Sequence, residues 1–180
     1  MEEQVSWFAL RAFKQKVFKI KEAFEAAGWK TYMAMRSVER TENGHLSYKD
    51  VQIIPQLIFV RCPKSWLNKY KNEHNDEFMI YRHEERTERG TMVLEPAPIP
   101  EKEMAVFIQV TGTGDGLDIE YYGEVLPQEG ERVRVTDGLY KGATGVVKRI
   151  KRDRKLLIAV EGVAVIAVSN IPFSYLEKIV

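Results

Sequence analysis

The stretch Gly130-Glu-Arg-Val-Arg-Val-Thr-Asp-Gly-Leu-Tyr-Lys-Gly-Ala-Thr-Gly-Val-Val-Lys-Arg-Ile150 decides the fold of the C-terminal part of this chain. Val133 and Val135 are two residues apart, so they face the same side of a strand, with basic residues on the other side. The dipeptide Asp137-Gly138 predicts a turn, and a second Val-rich strand follows it. The residues that define the pattern are Val133, Val135, Gly138, Tyr140, Gly142, Gly145 and Val147. The pattern predicts two short strands joined by a glycine-containing turn.

The residues around this stretch continue in short apolar segments. Strands are predicted over residues 132–136, 144–150, 155–160, 164–169 and 175–177. Their lengths and close spacing suit a small all-β barrel. Because Val and Ile lose rotamer freedom in helices, their abundance here favours strands over a helical hairpin.

The sequence between the second and third of these strands is strongly basic. Six of the eight residues from 148 to 155 are Lys or Arg. Such a cluster attracts phosphate groups by counterion release, without reading base sequence. Alternatively, it is a solvated hairpin tip that keeps a small barrel soluble, and the sequence leaves both readings open. No array of aromatic rings accompanies the bases, so dedicated single-strand binding is not favoured. The basic residues are Lys148, Arg149, Lys151, Arg152, Arg154 and Lys155.

The first 113 residues predict a mixture of strands and helices. Val17, Ile20 and Phe24 recur at helical spacing, and Gly28 ends that helix. Asn43-Gly44 is a strong hairpin signal. The predicted elements are strands over 6–13, 29–35, 53–60 and 78–81, helices over 14–27, 63–72 and 101–110, a hairpin over 37–50 and a charged loop over 84–90. This order predicts an α+β domain in which helices back an antiparallel sheet.

The distribution of charge divides the chain into three parts. The formal net charge of +1 excludes a generally basic nucleic-acid coat. Residues 114–126 carry four acidic residues and no basic one, whereas residues 127–180 carry ten Lys or Arg against six Asp or Glu. We therefore predict an N-terminal domain over 1–113, an acidic linker over 114–126 and a modestly basic C-terminal domain over 127–180.

Several kinds of chemistry find no support in the sequence. The single cysteine, Cys62, allows no internal disulfide and has no base or orienting group near it. Residues 111–116, although rich in glycine, lack the Gly-Lys-Ser/Thr ending of a phosphate loop. The three histidines lie in separate segments, so no metal site is predicted. Since these motifs are missing, we expect a protein without enzyme activity or cofactor. Since neither a signal peptide nor a membrane span is predicted, we expect it to be cytoplasmic.

Two separate regions of the chain resemble one protein family. Residues 130–150 resemble the KOW motif, and residues 127–180 resemble the SH3-like KOW domain of the NusG family of transcription-elongation factors. Residues 1–113 resemble the N-terminal domain of the same family, so the resemblance covers nearly the whole chain. The matching segments outside the KOW motif are Trp7-Phe8-Ala9-Leu10, Ala27-Gly28, Ile53-Ile-Pro-Gln-Leu-Ile-Phe-Val60, Pro96-Ala-Pro-Ile-Pro-Glu-Lys-Glu-Met104 and Tyr175-Leu-Glu-Lys-Ile179.

The resemblance implies macromolecular binding without turnover. In this family an apolar depression on the N-terminal domain binds the clamp helices of RNA polymerase, and holding the clamp closed suppresses pausing and termination. Apolar side chains in such a groove receive an amphipathic partner helix. We expect Leu57 and Met104 to line the groove, while Trp7, Ile54 and Phe59 belong either to the groove or to the core. The polymerase-binding residues that the resemblance implies are Trp7, Ile53, Ile54, Leu57, Phe59 and Met104.

The resemblance also implies further partners. The family's N-terminal domain lies across the DNA channel, so non-template DNA and nascent RNA are candidate partners of basic residues at the first helix. The alternative is that these residues form a solvated helix surface. They are Arg11, Lys14, Lys16, Lys19 and Lys21. The family's KOW domain recruits the termination factor Rho or a ribosomal protein through an apolar side chain where this chain has Glu161, so its KOW partner is left open.

Within the family, the chain is most similar to specialised paralogues. Ile54-Pro-Gln-Leu57 stands where the general factor prefers an aromatic–Pro–Gly–aromatic sequence. Residues 151–164 resemble the UpxY-type antiterminators of capsular polysaccharide operons. The resemblance therefore implies an elongation or antitermination factor. The alternative is an RNA-binding or ribosome-associated KOW protein that does not bind polymerase.

Overall fold

The structure is a computed structural model that describes residues 3–113 and 116–180. Gly114 and Asp115, which belong to the glycine-rich segment and the predicted linker, lie outside the described residues. The elements in chain order are β1 (Val5–Ala12), α1 (Val17–Ala26), β2 (Lys30–Tyr32), β3 (Met35–Glu42), β4 (His45–Gln52), β5 (Leu57–Pro63), α2 (Lys64–Glu73), β6 (Phe78–Ile80), β7 (Arg82–Arg86), β8 (Met92–Pro96), α3 (Glu101–Thr111), β9 (Ile119–Gly123), β10 (Glu131–Val135), β11 (Thr144–Ile150), β12 (Asp153–Val160), β13 (Ala164–Val168) and β14 (Leu176–Lys178).

The chain divides into two compact units. The first unit comprises the described residues up to Met33 and Pro55–Glu101. The second comprises Ala34–Ile54 and the described residues from Lys102 onward. Because this division follows packing within the chain, the predicted domain boundaries at residues 113 and 127 stay predictions.

The first unit is an antiparallel sheet with helices α1 and α2 packed on one face. Its strands lie in the order β2-β5-β1-β6, and β7 and β8 form a separate hairpin. Alternating residues of the two central strands, among them Phe8, Leu10 and Ile58, share one buried cluster with residues of both helices. At the centre of this cluster the Phe24 ring lies 4.9 Å from the Trp66 ring, in edge-to-face contact.

The second unit begins with the β3–β4 hairpin. The strands pair in full register from Met35↔Gln52 to Glu42↔His45. At the turn, Asn43 and Gly44 both have positive φ, 52° and 77°. Two positive φ angles define the type I′ turn that matches the twist of the flanking strands. The hairpin that the sequence predicted around Asn43-Gly44 is therefore confirmed.

The other six strands of the second unit form one antiparallel sheet. The strand order is β14-β10-β11-β12-β13-β9. Five of these strands were predicted within about three residues of their observed bounds. The sixth, β9, was not predicted, since it lies in the segment interpreted as an acidic linker, and it pairs with β13. An α+β N-terminal part followed by an all-β C-terminal part confirms the predicted fold class.

Three local predictions were wrong. The strand expected over 53–60 is β5 and begins only at Leu57, because Gln56 has a φ of 61° that breaks extended backbone. The charged loop expected over 84–90 contains most of β7, whose exposed polar residues pair with β8. The helix expected from residue 14 begins at Val17, since Lys14 and Gln15 have positive φ angles of 49° and 59°.

Candidate functional site

Three of the proposed polymerase-binding residues lie in the first unit. On β1 and β5, Trp7, Leu57 and Phe59 alternate with the residues that face the helices, so they point to the opposite face of the sheet. Their side chains are 7%, 2% and 1% exposed, respectively. The Glu101 carboxylate lies beside them, accepting hydrogen bonds from Trp7 Nε1 at 3.2 Å and from Arg61 Nε at 2.8 Å.

The other three proposed polymerase-binding residues lie in the second unit and are also buried. Ile53 and Ile54 follow the β3–β4 hairpin, and the Ile53 N–H donates to the Ala34 carbonyl at 2.8 Å. Met104, on α3, is fully buried. Leu57 and Met104, expected at the groove, are therefore no more accessible in this structure than residues expected in the core. Polymerase contact through these six residues stays a prediction.

The basic residues at α1 have protein partners. Lys19 Nζ and Lys16 Nζ lie 2.5 Å and 3.4 Å from the Glu77 carboxylate oxygen Oε1. The hydrogen bond from Lys19 is the main reason why the pKa of Glu77 is lowered, and the same bond raises the pKa of Lys19. Glu77 is itself 6% exposed. A phosphate group would have to compete with this carboxylate for both lysines.

The remaining basic residues of this N-terminal set differ among themselves. Lys21 forms an i,i+4 ion pair with Glu25 at 2.9 Å. Arg11 Nε donates to the Tyr81 hydroxyl at 2.9 Å. Lys14 is exposed in the connection between β1 and α1. These contacts favour the solvated, structurally paired surface over a dedicated nucleic-acid face.

The residues of the KOW pattern have structural roles in the C-terminal sheet. Val133 and Val135 are buried on β10, and Tyr140 is buried in the turn before β11, which also contains Gly138 and Gly142. Val147, on β11, is partly buried. At Gly145 a Cβ would lie 2.2 Å from the Leu157 carbonyl oxygen, so only glycine allows β12 to approach this closely.

The basic residues 148–155 lie along β11, a two-residue turn and β12. Lys148 pairs in register with Lys155, and Arg149 with Arg154. Lys155 Nζ lies 2.7 Å from the carboxylate of Glu120 on β9. In the described part of the chain, the other five basic residues form no ion pair. Most of the predicted cluster is therefore without a carboxylate partner, unlike the lysines of α1.

An aromatic ring that sequence reasoning missed lies beside this cluster. Phe173 is 63% exposed, and the guanidinium carbon of Arg154 lies 4.8 Å from the centroid of its ring. This distance is that of a cation–π contact. The two residues are far apart in sequence, so spacing gave no signal. The sequence shows a Phe shortly before the last predicted strand, but not that its ring is exposed.

Glu161 lies in the turn between β12 and β13 and is exposed. Its backbone N–H donates a hydrogen bond to the Glu103 carboxylate. The side chain at this turn is thus acidic and exposed to solvent. No apolar side chain is presented at position 161.

Other chemistry-bearing groups are placed as follows. Cys62 is fully buried on β5, and burial raises the pKa of its thiol to about 12, so the reactive thiolate is absent at neutral pH. Within residues 3–113 and 116–180, no three His, Cys, Asp or Glu side chains are grouped to hold a metal ion. None of the described helices is long and apolar enough to cross a membrane.

Comparison with known families assigns the chain to a class. Residues 5–108 match the family model NusG, described as transcription termination factor nusG. Residues 129–164 match the model of the KOW motif. An α+β part followed by a KOW-bearing β-sheet is the arrangement that these two matches describe. Since the NusG model spans more than half of the chain, the chain belongs to the NusG family. No curated protein matches the chain.

Proposed function

We propose that this chain is a transcription elongation or antitermination factor that binds RNA polymerase and acts without catalytic turnover. The NusG match over residues 5–108 carries the proposal. In this proposal residues 1–113 bind the polymerase, and the KOW domain of residues 127–180 recruits a further partner. Residues 114–126 connect the two domains. The KOW match over residues 129–164 supports the part of the proposal that concerns the KOW domain.

The polymerase surface that we propose is the face of the first unit's sheet that lies opposite α1 and α2. It carries Trp7, Leu57 and Phe59, whose combined apolar surface suits an amphipathic partner helix. Glu101 fixes the Trp7 indole and the Arg61 guanidinium at the same face. Because the three apolar side chains are buried here, contact with the clamp helices requires a rearrangement that exposes them.

A finer proposal concerns the subfamily and its target. Residues 151–164 resemble UpxY-type antiterminators, so the operons regulated would be those of polysaccharide biosynthesis. Ile54-Pro-Gln-Leu57, which departs from the sequence of the general factor, supports a specialised paralogue. The exposed Glu161 supports a KOW partner other than Rho or the ribosomal protein. An apolar recruiting side chain is replaced there by a charge that would have to be desolvated on docking.

Transcription in vitro tests the proposed function. Purified polymerase would be followed across a template that carries pause and terminator sites, with and without the full chain. We expect shorter pauses or more read-through, because a clamp held closed disfavours both events. Templates with and without the native leader of the operon separate a general factor from a recruited one. Unchanged elongation on every template, the native leader included, contradicts the proposal.

A further inference from the structure

A groove in the C-terminal sheet combines cations with an exposed ring. It has a volume of about 410 Å³ and lies among residues of β10, β11, β12 and β14 and the turn before β14. Arg149, Arg154 and Phe173 line it, together with Val147 and Leu176. Glu131 and Lys178 also line it and form an ion pair at 3.5 Å. Its lining therefore combines apolar side chains with cationic ones.

The two guanidinium groups in this groove are available to an anion. Arg149 and Arg154 face each other across the β11–β12 ladder and are both exposed. Neither forms an ion pair in the described part of the chain. The carboxylate in the lining of the groove, that of Glu131, is already paired with Lys178. Two planar, unpaired guanidinium groups are suited to bidentate hydrogen bonds with phosphate oxygens.

The backbone that carries the exposed ring of Phe173 is held by hydrogen bonds. Phe173 begins a single 3-10 turn, Phe173–Tyr175, in which the Tyr175 N–H donates to the Pro172 carbonyl at 2.9 Å. The Tyr175 carbonyl accepts hydrogen bonds from Thr136, from the backbone N–H at 2.8 Å and from Oγ1 at 3.0 Å. The turn is thereby fixed to the end of β10. Because this backbone is already ordered, a ligand that stacks on the ring does not have to order the turn on binding.

We propose that this groove binds unpaired nucleotides of a single-stranded nucleic acid. A base stacks on the exposed part of the Phe173 ring beside the Arg154 guanidinium, and the adjoining phosphate binds Arg149. Stacking on an aromatic ring requires a base that is not paired, so a duplex does not fit. An acidic peptide would use the two arginines but gain little from the ring. The site does not depend on polymerase binding.

Fluorescence anisotropy of labelled oligonucleotides with the full chain tests this site. The probes are single-stranded RNA and DNA of about twelve nucleotides and the corresponding duplex. We expect Phe173→Leu to weaken single-strand binding by about 5-fold to 150-fold, the range of one lost stacking contact. Phe173→Tyr keeps a ring and should bind like the original chain. Comparison of RNA with DNA shows which strand the groove prefers.

Phe18→Leu is the matched control for the ring. Phe18 is 54% exposed on α1 in the first unit, so its loss should leave oligonucleotide binding unchanged. Arg149→Gln should reduce the slope of log affinity against log salt by about 0.7, the contribution of one phosphate contact to a single strand. Circular dichroism confirms that each variant is folded. The proposal is overturned if folded Phe173→Leu binds like the original chain, or if a poly-glutamate peptide displaces the oligonucleotide equally well from both.

Discussion

Two basic regions of this chain have similar composition and different surroundings. At α1, Lys16 and Lys19 lie against the buried carboxylate of Glu77. In the C-terminal sheet, Arg149 and Arg154 lie beside an exposed ring and form no ion pair in the described part of the chain. The same residue types therefore hold the protein together in one region and remain available to a ligand in the other. The position of a carboxylate, rather than the number of bases, separates the two roles.

Substitution of Glu77 gives the larger expected effect on stability. Glu77→Gln keeps the shape of the side chain but removes the charge that Lys16 and Lys19 contact. We expect the free energy of unfolding to fall by about 1–2 kcal/mol, since hydrogen bonds to charged groups contribute more than neutral ones and both lysines are partly solvated. Urea denaturation followed by circular dichroism measures the change.

Glu120→Gln is the matched control for that substitution. Glu120 pairs with Lys155 but is largely exposed, so its loss should cost less than about 1 kcal/mol. A larger loss at Glu120 than at Glu77 would reverse the comparison between the two regions. It would mean that the C-terminal bases, too, serve mainly to stabilise the fold.

Acid should weaken the contribution of Glu77 to the free energy of unfolding. The change from one pH to the next is smaller than the effect of the substitution, because protonation is spread over a range of pH. The pKa of Glu77 lies below its ordinary value of 4.5, chiefly through the hydrogen bond from Lys19. Its contribution to stability is therefore complete above that ordinary value and is lost as the pH falls through the lowered pKa. We expect the difference in melting temperature between the original chain and Glu77→Gln to shrink between about pH 5 and about pH 3. A difference that does not vary with pH would contradict the account, since it would mean that the negative charge of Glu77 does not carry the stabilisation.

The sequence predicts the strands of the C-terminal sheet well because local signals agree. Val133 and Val135 alternate with arginines, and glycines mark the turn that follows. The Asn43-Gly44 hairpin is likewise fixed by backbone geometry at two adjacent residues. By contrast, β9 has an acidic, irregular sequence, and its edge position beside β13 depends on long-range pairing that no local pattern shows.

The candidate sites were less predictable than the fold. The partnership of Lys19 with Glu77 and that of Arg154 with Phe173 join residues from different elements, so neither follows from periodicity or spacing. Leu57, which the resemblance placed at a groove, is 2% exposed, and its role in polymerase contact stays a prediction. Alternation along β5 predicts which face a side chain takes, but not whether that face is covered.

Polymerase binding by two neighbouring variants of β5 tests the central claim most directly. Leu57 and Ile58 are both buried but point to opposite faces of the sheet, Ile58 towards the helices. Leu57→Ala and Ile58→Ala should each lower stability by about 2–5 kcal/mol, so binding must be normalised to the folded fraction.

In this experiment the full chain would be titrated against immobilised clamp helices of RNA polymerase. We expect Leu57→Ala to lose at least about tenfold in affinity per folded molecule, as for a central interface residue, and Ile58→Ala to bind like the original chain. Equal affinities for both variants and the original chain, or no binding by the original chain, would contradict the account.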